Sequence, residues 1–254
     1  MNILFTICGR AGSKGFKNKN LKLFLEKPLV YYSISAIALY VKKFVRQEQL
    51  IDVVLNTDSK ELIDLVKMQQ MIPVSIIKRK TELGGDSVPK VAVIKDCLNQ
   101  MEERSRVKYD AAVDLDITSP LRTVEDIERA IQKKWMHREA DVIYSVVESR
   151  RNPYFNMVKK EKEFFCKAIP SEYVTRQQAP DFYDMNASIY VYSVEALRKK
   201  REDIFFNSRC DAIIMQDTGI LDIDSEEDFE LLQVIAKYLL KKNPCMKEIY
   251  DFIK

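Results

Sequence analysis

A doubly wound, largely parallel α/β sheet is the fold this sequence predicts, and three observations predict it. Short apolar runs alternate with segments of helical period from residue 3 to about residue 147. The runs are near-continuous rather than alternating, as in strands buried on both faces of a parallel sheet. Helix-start signals follow several of them within a few residues. Parallel strands joined through helices satisfy that β-α-β-α order most economically.

Residues 3–8 (ILFTIC) read as the first strand, followed by a polar loop and a helix over 28–44. Residues 51–55 form a second strand, with Asp58 or Ser59 capping a helix towards Met68. A strand at 73–77 and a helix at 88–101 come next, then a strand at 111–115. Thr123 to Asp126 make a capping-box-like start to a helix ending near Met136, and 142–147 is a fifth strand. After Glu148 the rhythm changes. The runs at 155–158, 164–165 and 187–191 look like strands with no long helix between them, an antiparallel excursion such as an arm or lid. The α/β pattern returns at 212–215, and Ser225 begins a helix reaching Leu240. A chain of 254 residues can bury a proper core. The reading is one domain over 1–254, with 149–210 as the excursion.

Composition narrows the chemistry. Lys+Arg 41 nearly cancels Asp+Glu 38, leaving a net charge of +3 and arguing against bulk electrostatic binding of nucleic acid. The single histidine, His137, excludes metal sites built from several imidazoles and is the only imidazole base on offer. It lies at the end of a charged helix and reads as exposed and idle. Five scattered cysteines without a CxxC pair fit reduced thiols in a cytoplasmic protein. The longest apolar stretch, 29–41, is interrupted by Ser33 and Ser35 and falls short of the roughly 20 residues of a membrane span. The first apolar run is too short, and too poor in preceding charge, for a signal peptide. A soluble enzyme using Asp, Glu, Lys, Arg or a borrowed metal ion is expected.

Four segments carry chemistry. Residues 9–22 follow strand one and hold Gly9, Gly12 and Gly15 with Arg10, Lys14, Lys17, Lys19 and Lys22, and no acid. Glycines let the backbone turn and present N–H groups to an anion. The lysines and arginine add charge-assisted bonds of roughly 1.5–3 kcal/mol each, which suits a triphosphate. The spacing is neither a P-loop nor GxGxxG. Asp222-Ile223-Asp224-Ser225 lies at an expected strand-to-helix junction, where two carboxylates two residues apart face one side and suit Mg²⁺. A plain helix cap at Asp224 or Ser225 is the competing reading. Residues 114–122, with Asp114, Asp116 and Thr118-Ser119-Pro120-Leu121-Arg122, lie beyond a strand's carboxyl end, where ligands bind in open α/β sheets; an ordinary turn into a helix fits equally. Arg176 with two glutamines, then Tyr183 to Tyr190, suit a polar acidic sugar or an interface rim.

Together these segments resemble the N-acylneuraminate cytidylyltransferases. The pattern R-x-G-S-K-x-x-x-x-K-N is matched at Arg10, Gly12, Ser13, Lys14, Lys19 and Asn20. T-S-P-L-R is Thr118 to Arg122, and D-I-D-[ST] is Asp222 to Ser225. Arg176 stands ten positions before Asn186, in a strand continuing to Ile189 and Tyr190. The resemblance implies a Rossmann-like nucleotidyltransferase fold and CMP transfer from CTP to the anomeric hydroxyl of a nine-carbon sugar acid, with pyrophosphate leaving. It places Arg10, Gly12, Ser13, Lys14, Lys19 and Asn20 around the CTP phosphates and Arg79 by the cytidine. Arg10, Lys14 and Lys19, with Mg²⁺ on Asp222 and Asp224, would neutralise developing charge. Asp116, Arg176, Asn186 and Tyr190 would meet the sugar acid. Phe205 and Phe206 resemble an aromatic pair that family homodimers insert into the neighbour's pocket, making the excursion a dimerisation element.

Two departures refine the resemblance. Lys80 stands where relatives carry a proline after the arginine, and Asp116-Ile117 where many sialic acid members have Gln-Pro. Asp116, residues 151–156 and residues 184–188 look more like the branch that activates legionaminic acid and similar bacterial sugars. Asp116 as a further metal ligand stays open. So do an octulosonic acid cytidylyltransferase and a catalytically silent binding module as alternatives.

Overall fold

The computed structural model describes residues 2–12, 15–85, 87–199, 204–205, 208–219 and 222–253. In chain order the elements are β1 (Asn2–Cys8), β2 (Leu23–Phe24), β3 (Lys27–Pro28), α1 (Leu29–Phe44), β4 (Leu50–Thr57), α2 (Lys60–Met68), β5 (Ser75–Lys78), α3 (Lys90–Ser105), β6 (Ala111–Leu115), α4 (Val124–Met136) and β7 (Val142–Glu148). They continue as β8 (Val158–Glu161), β9 (Phe164–Lys167), β10 (Tyr183–Ser193), α5 (Val194–Lys199), β11 (Cys210–Ile214), α6 (Glu226–Lys242) and α7 (Pro244–Phe252).

The central sheet has seven strands in the order β11-β7-β10-β6-β1-β4-β5. Neighbours run parallel except β10, which is antiparallel to both β6 and β7. Successive side chains of a strand point to opposite faces, and β1 uses both. Ile3, Phe5 and Ile7 enter a core shared with α1, α4, α6 and α7, whereas Leu4 packs with Ile94, Cys97 and Leu98 of α3. Both faces are covered, so the runs are apolar throughout, as the sequence suggested.

Local chemistry sets the helix starts. Ser59 accepts Leu62 N–H and caps α2. Thr123 with Asp126, and Ser225 with Asp228, close reciprocal capping boxes at α4 and α6. Asn243 caps α7 by accepting from the N–H groups of Cys245 and Met246, with Pro244 in the first turn. That helix was not expected, although Asn-Pro is a start signal.

The excursion differs from expectation in two places. The strand-like run near residue 190 belongs to the central sheet: β10 inserts between β6 and β7, because Ile189, Val191 and Tyr192 are buried there. Among the described residues of the excursion, the β8–β9 hairpin is what stands apart from that sheet. Residues 155–156 form a turn instead of a strand. The Asn152 carbonyl accepts the N–H groups of Phe155, Asn156 and Met157, and its side chain accepts Tyr154 N–H.

Candidate active site

A cavity of ≈ 690 Å³ opens at the carboxyl ends of β1, β5 and β6, where ligands sit in open α/β sheets. It is bounded by the loop after β1, the turn before α6 and the segment after β6.

The loop after β1 is tied down at several points. Gly9 N–H donates to Asn56 O at 3.1 Å, and Ala11 N–H to Asp58 Oδ1 at 2.7 Å. Asn20 is buried and donates through Nδ2 to the Arg10 carbonyl at 3.2 Å. Gly12 takes φ +70°, the left-handed region glycine tolerates. A Cβ at Gly15 would stand 2.7 Å from the Asp224 carbonyl oxygen, so only glycine lets the loop lie against the 222–224 turn. Phe16 is buried on Phe229, with Lys22 over its ring at 4.9 Å, so Lys22 braces the loop. Ser13 and Lys14 lie outside the described residues.

Lys19 joins loop and turn, donating to Ile223 O at 2.7 Å and Asp224 Oδ1 at 3.2 Å. The turn is irregular rather than the strand end expected, and Ile223 N–H anchors it to Thr118 O at 3.3 Å. Ser225 makes the helix cap, which leaves both aspartates to the cavity. The Asp224 side chain is 79% exposed. Burial, then the charges of Asp116 and Asp224, push the Asp222 carboxyl up, with Thr118 and Lys19 pulling the other way.

After β6, Asp116 accepts from Thr118 N–H at 3.0 Å and from Thr118 Oγ1 at 2.8 Å. Arg122 is a brace, not a ligand contact, being 1% exposed. It donates to Ser188 Oγ at 3.1 Å, Ser33 Oγ at 3.2 Å, Asp116 O at 2.5 Å and the Ser119 carbonyl. Burial pulls its guanidinium down to about 10 against the opposing pull of Asp116 and Asp114.

The residue that sequence reasoning missed is Lys90, at the first position of α3. Its ammonium lies 2.6 Å from Oδ2 of Asp114 and 2.6 Å from Oδ2 of Asp116. Burial opposes its charge, but the two carboxylates win and push Lys90 well up. In return, although burial would raise Asp116, Lys90 and the Thr118 donors hold it at about 2. Asp114 is fully buried and also accepts from Thr6 Oγ1 at 2.7 Å.

Arg79 lines the cavity with Nε on Asn56 Oδ1 at 2.8 Å and Nη2 on Asn56 O at 3.3 Å. The residues expected around the sugar separate. Asp116 lines the cavity, and Tyr190 is close enough to feel Lys90 and Asp116, with burial pushing its phenol up to about 12. Arg176 lies in another cleft, of ≈ 130 Å³, donating to Ser149 O at 2.7 Å. Asn186 is a core amide at the β10 bulge, not a cavity residue. It accepts from Ser145 Oγ at 2.6 Å and places Nδ2 3.4 Å from Met215 Sδ. Phe205 packs on Tyr144, Tyr190 and Tyr192 of its own chain rather than projecting. Phe206 lies outside the described residues. His137 is 48% exposed, as expected, beside Glu139 and Asp211, and lines a different surface depression.

Among the described residues, no three Asp, Glu, His or Cys side chains come together to hold a metal. Two carboxylates are nonetheless what Mg²⁺ needs when phosphate oxygens and waters complete its octahedron. The raised Asp222, crowded by Asp116 and Asp224, is a negative charge that a hard cation would relieve. The donor set fits.

A cytidylyltransferase family profile matches residues 4–243. The chain belongs to the cytidylyltransferase family. It is 34% identical over 236 residues to a post-translational flagellin modification protein B of Campylobacter coli, covering 92% of this chain and 95% of that one. It is also 34% identical to a CMP-N,N'-diacetyllegionaminic acid synthase of Campylobacter jejuni, covering 92% and 94%. An N-acylneuraminate cytidylyltransferase of Streptococcus agalactiae is 29% identical over 90% of this chain and 52% of that protein. In fold, this cytidylyltransferase matches a CMP:2-keto-3-deoxy-manno-octonic acid synthetase complexed with CTP. The TM-score is 0.64 at 15% identity, covering 94% of this chain and 99% of that one. None of its described helices is long and apolar enough to cross a membrane.

Proposed function

We propose that this enzyme transfers CMP from CTP to the anomeric hydroxyl of a nonulosonic acid of the legionaminic type, releasing pyrophosphate. One observation carries the reading: Lys19 locks the basic loop to the 222–224 turn across one cavity, with Asp116 on its floor. The identity to a legionaminic acid synthase supports the acceptor class.

Arg10, Lys19 and the backbone of the loop after β1 hold the triphosphate. Lys14 and Ser13, from the same motif, complete that cradle. Arg79, fixed on Asn56, stands at the cytidine end. Asp222 and Asp224 would hold Mg²⁺, which when bound supplies charge neutralisation at the phosphates. The acceptor hydroxyl is positioned in line with the α-phosphate by groups at the end of β6, Asp116 among them. Preorganised cations facing the phosphates stabilise the charge that develops as pyrophosphate departs.

A homodimer belongs to the same proposal. Phe164 and Phe165, on opposite faces of the β8–β9 hairpin, are 78% and 66% exposed, apolar side chains that a second copy would cover. Arg176 sits apart from its own chain's cavity, which suits service to a partner's sugar acid. The five free thiols agree with a cytoplasmic setting, where the nucleotide is made.

The test incubates the protein with CTP, Mg²⁺ and in turn sialic, legionaminic, pseudaminic and octulosonic acids, reading pyrophosphate. Release with legionaminic acid supports the reading. Release with octulosonic acid alone reassigns the acceptor, and silence with every acid refutes the activity.

A further inference from the structure

Lys90 is in the wrong place for a helix. It occupies the first position of α3, whose first turn carries no acid, although the positive end of the helix dipole disfavours a cation there. Its ammonium is spent instead on Asp114 and Asp116, each at 2.6 Å. Those partners are unequal. Asp114 is fully buried, held by Thr6, and faces the sheet interior, whereas Asp116 lines the cavity together with Lys90.

Donor and acceptor counting shows what the pair offers. A carboxylate accepts about four hydrogen bonds, and Asp116 receives three: Lys90 on Oδ2 and two from Thr118 on Oδ1. An ammonium has three donors; Lys90 gives one hydrogen bond to Asp116 and an ion pair to Asp114, which leaves donor capacity for the cavity that it lines. Lys90 and Asp116 therefore present an adjacent donor and acceptor, with the rotamer of Asp116 fixed from both ends. A neutral group that both donates and accepts, a hydroxyl or an acylamino substituent, is complementary. A triphosphate is not, because Asp116 would repel it.

We infer that Lys90 is a binding residue of the acceptor subsite that also holds Asp116, so that the two together bind a hydroxyl or acylamino group of the sugar acid. The inference rests on the proposed function and adds a residue that the expected site lacks. Lys90 acts with Asp116 on sugar recognition and leaves nucleotide binding to the loop after β1.

The experiment is a double-mutant cycle on Lys90→Met and Asp116→Asn, with KM measured separately for legionaminic acid and CTP. Losing one charge-assisted bond is worth roughly tenfold or more. K90M and D116N should each raise KM for the sugar acid by about that factor, with KM for CTP within about twofold. The double variant should be little worse than either single one, because each removes the same unit. Additive effects, an equal rise in both KM values, or a rise for CTP alone would overturn the inference. Thermal melts check folding, and K90Q, whose shorter neutral side chain loses the charged donor to Asp116, replaces K90M if that variant does not fold; unchanged sugar KM in K90Q then overturns the inference equally. The wild-type arm tests the reading itself, since silence there with every acid refutes the activity independently of any variant.

Discussion

Lys19 reaches across the cavity mouth to Asp224, its ammonium 3.2 Å from the carboxylate and 2.7 Å from the neighbouring carbonyl of Ile223. Two motifs 204 residues apart in the chain thereby become one wall. The cation belongs to the loop expected at the phosphates, and the anion to the turn expected at the metal.

Asp224 is the cleanest probe of that wall. Its side chain is exposed, so Asp224→Ala should leave the melting temperature near wild type. Losing one preorganised charge contact typically costs about 10²–10³ in rate, and pyrophosphate release should fall by that much. Release at the wild-type rate would remove Asp224 from the machinery.

Gly15 tests the fit of loop against turn. Alanine there places a Cβ 2.7 Å from a backbone oxygen that has no side-chain freedom to yield. Gly15→Ala should raise KM for CTP by about tenfold, since loss of one charge-assisted phosphate contact is worth that much. Gly12→Ala meets nothing within 4 Å and carries only its φ of +70°, a strain of about 1–2 kcal/mol. Paired CTP titrations of the two variants distinguish contact from strain.

Arg122 should matter to stability first. Replacing it by methionine takes the donor from the Ser119 carbonyl and one of two donors from the Asp116 carbonyl, which keeps Ser33 Oγ, and each buried polar group left unsatisfied costs about 1–3 kcal/mol. For a chain of this size the melting temperature should fall by on the order of 10 °C. A melt by circular dichroism reads it.

The Lys90–Asp116 pair sets an acid limb. Asp116 is held at about 2 in the fold, against roughly 3.9 in an unfolded chain. A depressed carboxyl contributes stability above its unfolded value and loses it as pH falls through the folded one. The contribution, about 2 kcal/mol, is therefore present above pH 4 and vanishes towards pH 2. Urea melts from pH 2 to 6 should show the gap between wild type and D116N closing as the pH drops.

The exposed hairpin predicts a concentration-dependent partner. Phe164→Ser with Phe165→Ser should shift sedimentation from dimer to monomer while the central sheet, with which this hairpin does not pair, stays folded.

Much of this arrangement was legible in the sequence because it is local. Continuous apolar runs marked buried parallel strands, and Thr123 with Asp126 announced α4 by a spacing that has one geometric meaning. The cavity's loop and turn were legible as residue types. The rest depends on distance along the chain. Lys90 is 26 residues from Asp116, and nothing in its neighbourhood marks it. Asn186 and Arg122 look like ligand-binding residues in sequence, yet both are buried by contacts from other strands and helices. The competition between cap and metal site at 222–225 was also undecidable by spacing. In the fold Ser225 closes the box with Asp228, which bears out the cap at Ser225 and leaves metal binding by Asp222 and Asp224 as a proposal.

The most direct test follows phosphorus. With CTP, Mg²⁺ and N,N'-diacetyllegionaminic acid, ³¹P NMR should show the three CTP signals giving way to pyrophosphate and a single phosphodiester resonance of a CMP-sugar. CTP persisting unchanged, or decaying to CDP or free CMP without a phosphodiester, would contradict CMP transfer to a nonulosonic acid.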